Sequence, residues 1–305
     1  MVNPSGPVVC VSYLALAELW NVPRFPHPNH GAEVRTIEWS VAADGSMTAA
    51  VLASLGAPTR LITNDIGDDD YGRFIYRWLE DRHVTPSRRR SEVTTPRIVV
   101  AADDDHTRTW FAHLPGVVAS LEQADLAPLA NASFLYVDGY EIIERAVLRV
   151  IGAGSAAEVP MLLNLGGSDL SEAVTLAVHN YPHLLIQTNV DDAEHAAAPA
   201  LARSLLARTG ATWVIVTAGA HGAVALSRSE SVSAPAFPVK VRHTHCAGAA
   251  FSGGLLYGMQ AAWPMEQSLR LGAASGSLRC ARPHNAPLPN LGELLAMTEP
   301  TTRSA

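Results

Sequence analysis

Cys246-Ala247-Gly248-Ala249-Ala250-Phe251-Ser252-Gly253-Gly254 is the stretch on which the reading of this chain turns. A small, glycine-bearing turn feeds straight into an apolar helix. The first N–H groups of a helix lack partners inside it, so such a turn is a ready anion site. The helix dipole adds about 0.3 to 1 kcal/mol of attraction when exposed. Small residues here also suit close packing of helix on sheet, and the residues alone leave both readings open.

Three more segments carry candidate chemistry. Val216-Thr217-Ala218-Gly219-Ala220-His221-Gly222-Ala223 follows an apolar run. Its glycines let backbone amides approach a ligand closely; a tight hairpin between strands explains them as well. Asn189-Val190-Asp191-Asp192 closes another apolar run, where carboxylates either hold a hydrated magnesium ion or cap the next helix. Ile66-Gly67-Asp68-Asp69-Asp70-Tyr71-Gly72 places acids just before a helical pattern, where they are favoured in any case, so metal binding is the lesser reading there.

Between these segments the hydrophobic pattern alternates. Residues 134–137, 160–165, 184–188 and 212–217 read as strands; 142–151, 170–179 and 193–208 read as helices. That rhythm argues for a parallel sheet with helices on both faces. Upstream, 7–16 reads as one buried strand, 21–33 as loop, 34–41 as a strand, 46–55 as a helix ended by Gly56, 59–63 as a strand and 71–81 as a helix. Two polar strands, 97–101 and 109–111, joined by Asp103, Asp104 and Asp105, suggest an edge or protruding piece of sheet. Helices follow at 251–260 and 265–277, and the polar tail 298–305 is expected to fray. Ligands of open parallel sheets settle at the carboxyl ends of strands, which is where the candidate turns lie. Asp138 and Glu141, after the strand 134–137, lie at that end too, either as ligand contacts or as caps and surface acids.

Composition narrows the classes. The 305 residues suffice for one large core, and 48% hydrophobic against 17% charged residues fits a compact fold. A net charge of −7 gives no field for gathering nucleic acid. Cys10, Cys246 and Cys280 form no disulfide framework, and the twelve histidines fall into no metal spacing. No basic, apolar leader opens the chain and 161–165 is too short to span a bilayer, so a cytoplasmic protein with no membrane partner is expected. Arg88, Arg89 and Arg90, extended by Arg82, read as a solvated turn or as an anion contact. Cys246 reads as an inert thiol or a nucleophile at a helix start. His243 and His245 flank the same turn as candidate donors or proton carriers.

Taken in order, these segments resemble the ribokinase-like (PfkB) carbohydrate kinases, over about residues 8–277. Residues 64–72 are similar to that family's glycine-aspartate-x-x-glycine segment, 216–223 to its nucleotide loop, and 244–254 to its threonine-x-glycine-alanine-glycine-aspartate-x-phenylalanine signature. The resemblance implies an α/β fold, a Rossmann-type α/β/α sandwich with a small β-sheet lid. It makes 1–297 one domain, with the lid drawn from about 12–45 and 94–112. It implies ATP as cofactor, held by Asn189, Thr217, Gly219, Gly222, Cys246 and Gly248, with phosphates against Ala247 and Gly248. Mg2+ would sit near Asp192, where the family carries glutamate. The ligand would be a small molecule, near Ala15, Ala17, Ala43, Met47 and Asp138. A homodimer through the lid is the assembly implied.

The departures fall where the chemistry should be. Ala249 stands at the position of the family's catalytic base, and a methyl group takes no proton. Losing a positioned base typically costs ~10²- to 10⁴-fold. Ala15 and Ala17 stand where the family often has polar residues that grip hydroxyls, Ala42 and Ala43 at its double glycine, and Met47 at an asparagine. The expectation is a small-molecule binder of this fold whose ordinary phosphoryl transfer is lost or repurposed. The alternative is an active, divergent ATP-dependent kinase of a sugar- or nucleoside-like compound.

Overall fold

The computed structural model describes residues 6–85, 89–90, 92–105 and 107–299. The main sheet contains β1 (Val8–Val11), β4 (Thr59–Ile62), β9 (Phe134–Asp138), β10 (Met161–Asn164), β11 (Leu184–Asn189), β12 (Trp213–Thr217), β13 (Ala223–Leu226) and β14 (Ser231–Ala234). Its spatial order is β14-β13-β12-β11-β10-β9-β1-β4, parallel from β4 to β12 and antiparallel beyond. Alternate residues of β1 feed different cores: Val8 and Cys10 join one cluster, Val9 and Val11 the other. Burial on both faces is why these strands read as unbroken apolar runs.

Helices α1 (Asp44–Ser54), α2 (Asp70–Glu80), α7 (Ala247–Gln260), α8 (Met265–Ala281) and α9 (Leu291–Thr298) contribute to the first core. Helices α3 (Val117–Glu122), α4 (Glu144–Ala156), α5 (Glu172–Val178) and α6 (Ala198–Thr209) contribute to the second. This is the α/β/α sandwich expected, with a small second sheet: β2 (Ala15–Asn21), β3 (Thr36–Ala42), β7 (Arg97–Ala102) and β8 (Arg108–His113), in the order β3-β2-β7-β8. A further short pair joins β5 (Ile66–Gly67) to β6 (Arg89–Arg90).

The structure corrects several expectations. The run 7–16 is not one strand: β1 ends at Val11 in the main sheet and β2 starts at Ala15 in the lid. Between them Asn64 acts as a surrogate strand, accepting from Leu14 N at 2.8 Å and donating to Leu14 O at 3.1 Å. Both strands are buried, so no change of period marks the break. The helix expected from 193 opens as a 3-10 turn, Asp192–Ala197, before α6. Thr298 is not frayed but ends α9, which is started by a capping box between Asn290 and Glu293. Residues 300–305 and Arg88 lie outside the described residues.

Candidate functional site

The carboxyl ends of β9 and β10 meet the first turn of α1, and a polar cluster forms there inside an apolar molecule. Asp138, the last residue of β9, is fully buried. Its Oδ2 accepts from Gly45 N at 3.0 Å and from the Ser12 hydroxyl; its Oδ1 accepts from Tyr136 OH at 2.7 Å and Asn164 Nδ2 at 3.2 Å. Gly45 is required, because a Cβ there would collide with the Ser12 side chain and part the helix from the carboxylate. Asp44 is partly exposed and accepts from Tyr140 OH at 2.7 Å and Asn164 Nδ2 at 3.0 Å. One amide thus serves two carboxylates. Burial, then the Asp44 charge, pushes the Asp138 carboxyl up to about 7. Burial likewise raises Asp44, against the hydrogen bonds from Tyr140 and Asn164.

The chain enters α1 through Ala43, with φ 74° and ψ 145°. That region of backbone space is nearly reserved for glycine and costs other residues about 1–3 kcal/mol. The backbone keeps a glycine's shape without the glycine. Ala43→Gly is therefore expected to stabilise the protein by about 1 kcal/mol once the greater freedom of unfolded glycine is subtracted. Urea denaturation would measure it, and a loss of stability would refute the strain.

The turn into α7 lies beside this cluster. Thr48 Oγ1 on α1 donates to Ala249 O at 3.1 Å, and Ala249 is fully buried. A Cβ on Gly248 would meet no atom within 4 Å, so the turn opens onto unfilled space there. Gln187 at 3.5 Å and Ser252 at 3.0 Å hold Gly248 O. From the lid, Arg108 Nη1 donates to Thr244 O at 3.2 Å. Beneath, Arg279 is 2% exposed and donates to His245 O at 3.1 Å and His284 O at 2.7 Å.

Cys246, next to Ala247, is left-handed at φ 57°. Burial, then the Asp44 charge, pushes its thiol up to about 12, which does not support the nucleophile reading. His243 and His245 turn inward, onto Arg282 O at 2.9 Å and Val41 O at 3.1 Å, as structural groups rather than phosphate donors. Burial, then neighbouring His284, lowers His243 to about 3; burial and Arg279 lower His284 to about 4. Groups lowered from 6.5 stabilise the fold above that pH and lose this contribution as pH falls through their folded values. Stability is expected to decline from about pH 6.5 to 4 by this route. His284→Phe, which keeps the 3.8 Å stack on His243, should flatten that decline in a thermal-midpoint series; an unchanged slope would count against it.

At the neighbouring strand ends, Thr217 closes β12, and Gly219 and Gly222 lie in the β12–β13 connection, so the hairpin reading holds. Gly222 has φ 89° and lies against Ala234 O. A side chain on Gly219 would strike the Asp192 carboxylate, so Asp192 lies against this loop. Asn189 and Asp192 are exposed, and the helix-cap bond considered for this segment is absent from Asp191. Among the described residues no three His, Cys, Asp or Glu groups gather as a metal cluster. In 66–72, Asp69 is structural: it caps α2 through Gly72 N at 2.8 Å and holds Thr95 N at 3.0 Å and Thr95 Oγ1 at 2.6 Å.

Ala15, Ala17 and Met47 are fully buried, and Ala43 is nearly so. Trp39 packs on Tyr71 and Phe74, centroids 5.2 and 5.7 Å away. Arg82 stacks on Trp78 at 4.0 Å and donates to Asn285 O at 3.0 Å, so it packs rather than waiting for an anion. A groove of about 770 Å³ runs past Gly139, Glu141, Arg145 and Asp169. It lacks the buried acids, so the chemistry points to the adjoining cluster instead. Asp44, Tyr136, Tyr140 and Asn164 escaped sequence reasoning. The available signals were a polar residue ending an apolar strand, and the alternation of Tyr136 with Asp138.

A model of the pfkB family carbohydrate kinases matches residues 8–290, almost the whole described chain. The chain belongs to that family. Among curated members, aminoimidazole riboside kinase of Salmonella typhimurium is 25% identical over 242 residues, covering 70% of this chain and 72% of that one. 5-dehydro-2-deoxygluconokinase of Shouchella clausii is 23% identical over 293 residues, covering 88% and 89%. The ribokinase of Thermotoga maritima superposes with a TM-score of 0.78 at 18% identity, over 95% of this chain and 98% of its own. This last likeness is one of fold. Among the described residues no helix is long and apolar enough to cross a membrane.

Proposed function

We propose that this pfkB-family member binds a small molecule beneath its lid and a nucleoside triphosphate across the neighbouring strand ends, and that the family's ordinary phosphoryl transfer is lost or repurposed at the first turn of α7. The observation that carries this reading is the turn itself: open at Gly248, with a buried methyl at Ala249, the position at which the resemblance implies the family's base. The proposed ATP positions are Asn189, Thr217, Gly219, Gly222, Cys246 and Gly248, with the phosphates against Ala247 and Gly248, where backbone N–H groups would hold them without need of a base. Asp192 beside Gly219 is the candidate contact for Mg2+. Magnesium keeps much of its water and leans on substrate phosphates, so the absence of a protein cage among the described residues does not oppose it. Ala15, Ala17, Ala43, Met47 and Asp138 are the proposed ligand-side positions.

Thermal unfolding with and without ATP and Mg2+ tests this. A ligand at 100 times its Kd stabilises by about 2.7 kcal/mol. Wild-type protein should show such a shift and Gly248→Val should lose it while remaining folded. No nucleotide-dependent shift in the wild type would end the proposal. The active-kinase alternative is favoured by a different observation, the Asp44–Asp138 pair.

The lid supports a homodimer. On β8, Trp110 is 62% exposed and Phe111 68%, and Ile37 on the opposite edge is 56% exposed. Apolar edges of this kind are covered in assemblies. Light scattering should report a dimer that Trp110→Lys converts to monomer; a wild-type monomer at every concentration would remove the assembly.

A further inference from the structure

We propose that Asp44 is the proton acceptor of this cleft, doing from the first turn of α1 what Ala249 cannot do from the first turn of α7. The inference rests on the reading that ligand and nucleotide meet here, and adds the route by which transfer is rerouted.

Thr48 Oγ1 touches Ala249 O at 3.1 Å, which sets α1 against the empty base position. Asp44 is one helical turn before Thr48 and on the same face, about 6 Å along the axis. Helical side chains lean toward the N-terminus, so its carboxyl projects past the end of α1, toward the strand ends. Tyr140 and Asn164 hold it there, and both bonds fall on Oδ2. Oδ1 takes no hydrogen bond from the described residues. Beneath it Asp138 is occupied by four donors and shut away from solvent; it is a positioning residue, not the acceptor. The charged and titratable groups acting on Asp44 or on its partners are Asp138, Tyr13, Tyr136, Tyr140, Cys246 and Arg108. Burial raises the basicity of Asp44 above that of a surface carboxylate, which suits a general base.

The step balances. The substrate hydroxyl oxygen forms a bond to the γ-phosphorus of the nucleoside triphosphate. The bond from that phosphorus to the β,γ-bridging oxygen breaks, and its electron pair leaves with the nucleoside diphosphate. The hydroxyl proton passes to Asp44 Oδ1 and then to solvent. The products are a phosphate monoester and the diphosphate.

Full-length wild type, Asp44→Asn and Asp44→Glu are compared with ATP, Mg2+ and a panel of sugars and nucleosides, following ADP release and, separately, ATP binding by calorimetry. Expected is a wild-type turnover that falls ~10²- to 10⁴-fold in Asp44→Asn, with ATP affinity unchanged and part of the rate kept by Asp44→Glu. Carboxyl NMR should show Asp44 titrating above the ordinary aspartate range and moving down in Asp138→Asn, a readout independent of activity. Equal turnover in Asp44→Asn overturns the inference. So does a wild type that binds ATP yet turns over no panel member, and in that case the binding proposal stands. Absence of ATP binding removes both.

Discussion

At pH 8, Asp138→Asn is expected to be more stable than the wild type, by up to ~4 kcal/mol. Asp138 is fully buried, and its carboxyl is pushed up to about 7 from 3.8 by burial and by Asp44. A group with a raised folded value contributes its stability fully below pH 3.8 and loses it as pH rises through about 7. Above that the wild type must keep a desolvated anion beside a second carboxylate. The amide carries no charge and keeps an acceptor for Ser12 and Gly45 N. Urea unfolding at pH 4.5 and pH 8 measures the difference. The histidine contribution, which has the opposite slope, is common to both proteins and cancels. A variant with the same stability offset at both pH values would show that Asp138 ionises normally.

Gly254→Val is expected to cost about 3 kcal/mol, as overpacking against an unyielding neighbour. A Cβ at 254 would lie 2.8 Å from Leu271 O, the backbone of α8, and one at Gly253 would lie 2.6 Å from Val51 Cβ on α1. Gly248, on the same helix, faces open space. Gly248→Ala should therefore leave the fold as stable or slightly more so, since alanine favours a helix over glycine by about 1 kcal/mol, while weakening nucleotide binding. Denaturant midpoints and calorimetry on the two variants separate packing from binding. A well-folded Gly254→Val would show that α7 and α8 can part without penalty.

The two glycine classes divide the segment 246–254: the close-packing reading holds from Gly253 onward, and Gly248 faces open space, where the anion site is proposed. Other features resisted the sequence for a physical reason. Leu14 and Leu16 are as buried as Val8 and Cys10, so hydrophobicity could not reveal that the chain leaves one sheet for another at Ser12. Cys246 read either as an inert thiol or as one activated by a helix start; its burial and the nearness of Asp44, which raise the thiol, favour the inert reading.

The sequence by itself determined the α/β alternation and the placement of turns at strand ends, because each is written in neighbouring residues by period or glycine. Tertiary structure alone decided that Asp44, Asp138 and Asn164 share one polar cluster. They come from three separate elements, α1, β9 and β10. Their basicity depends on desolvation and on each other's charge, and neither exists until the sheet brings the strand ends together.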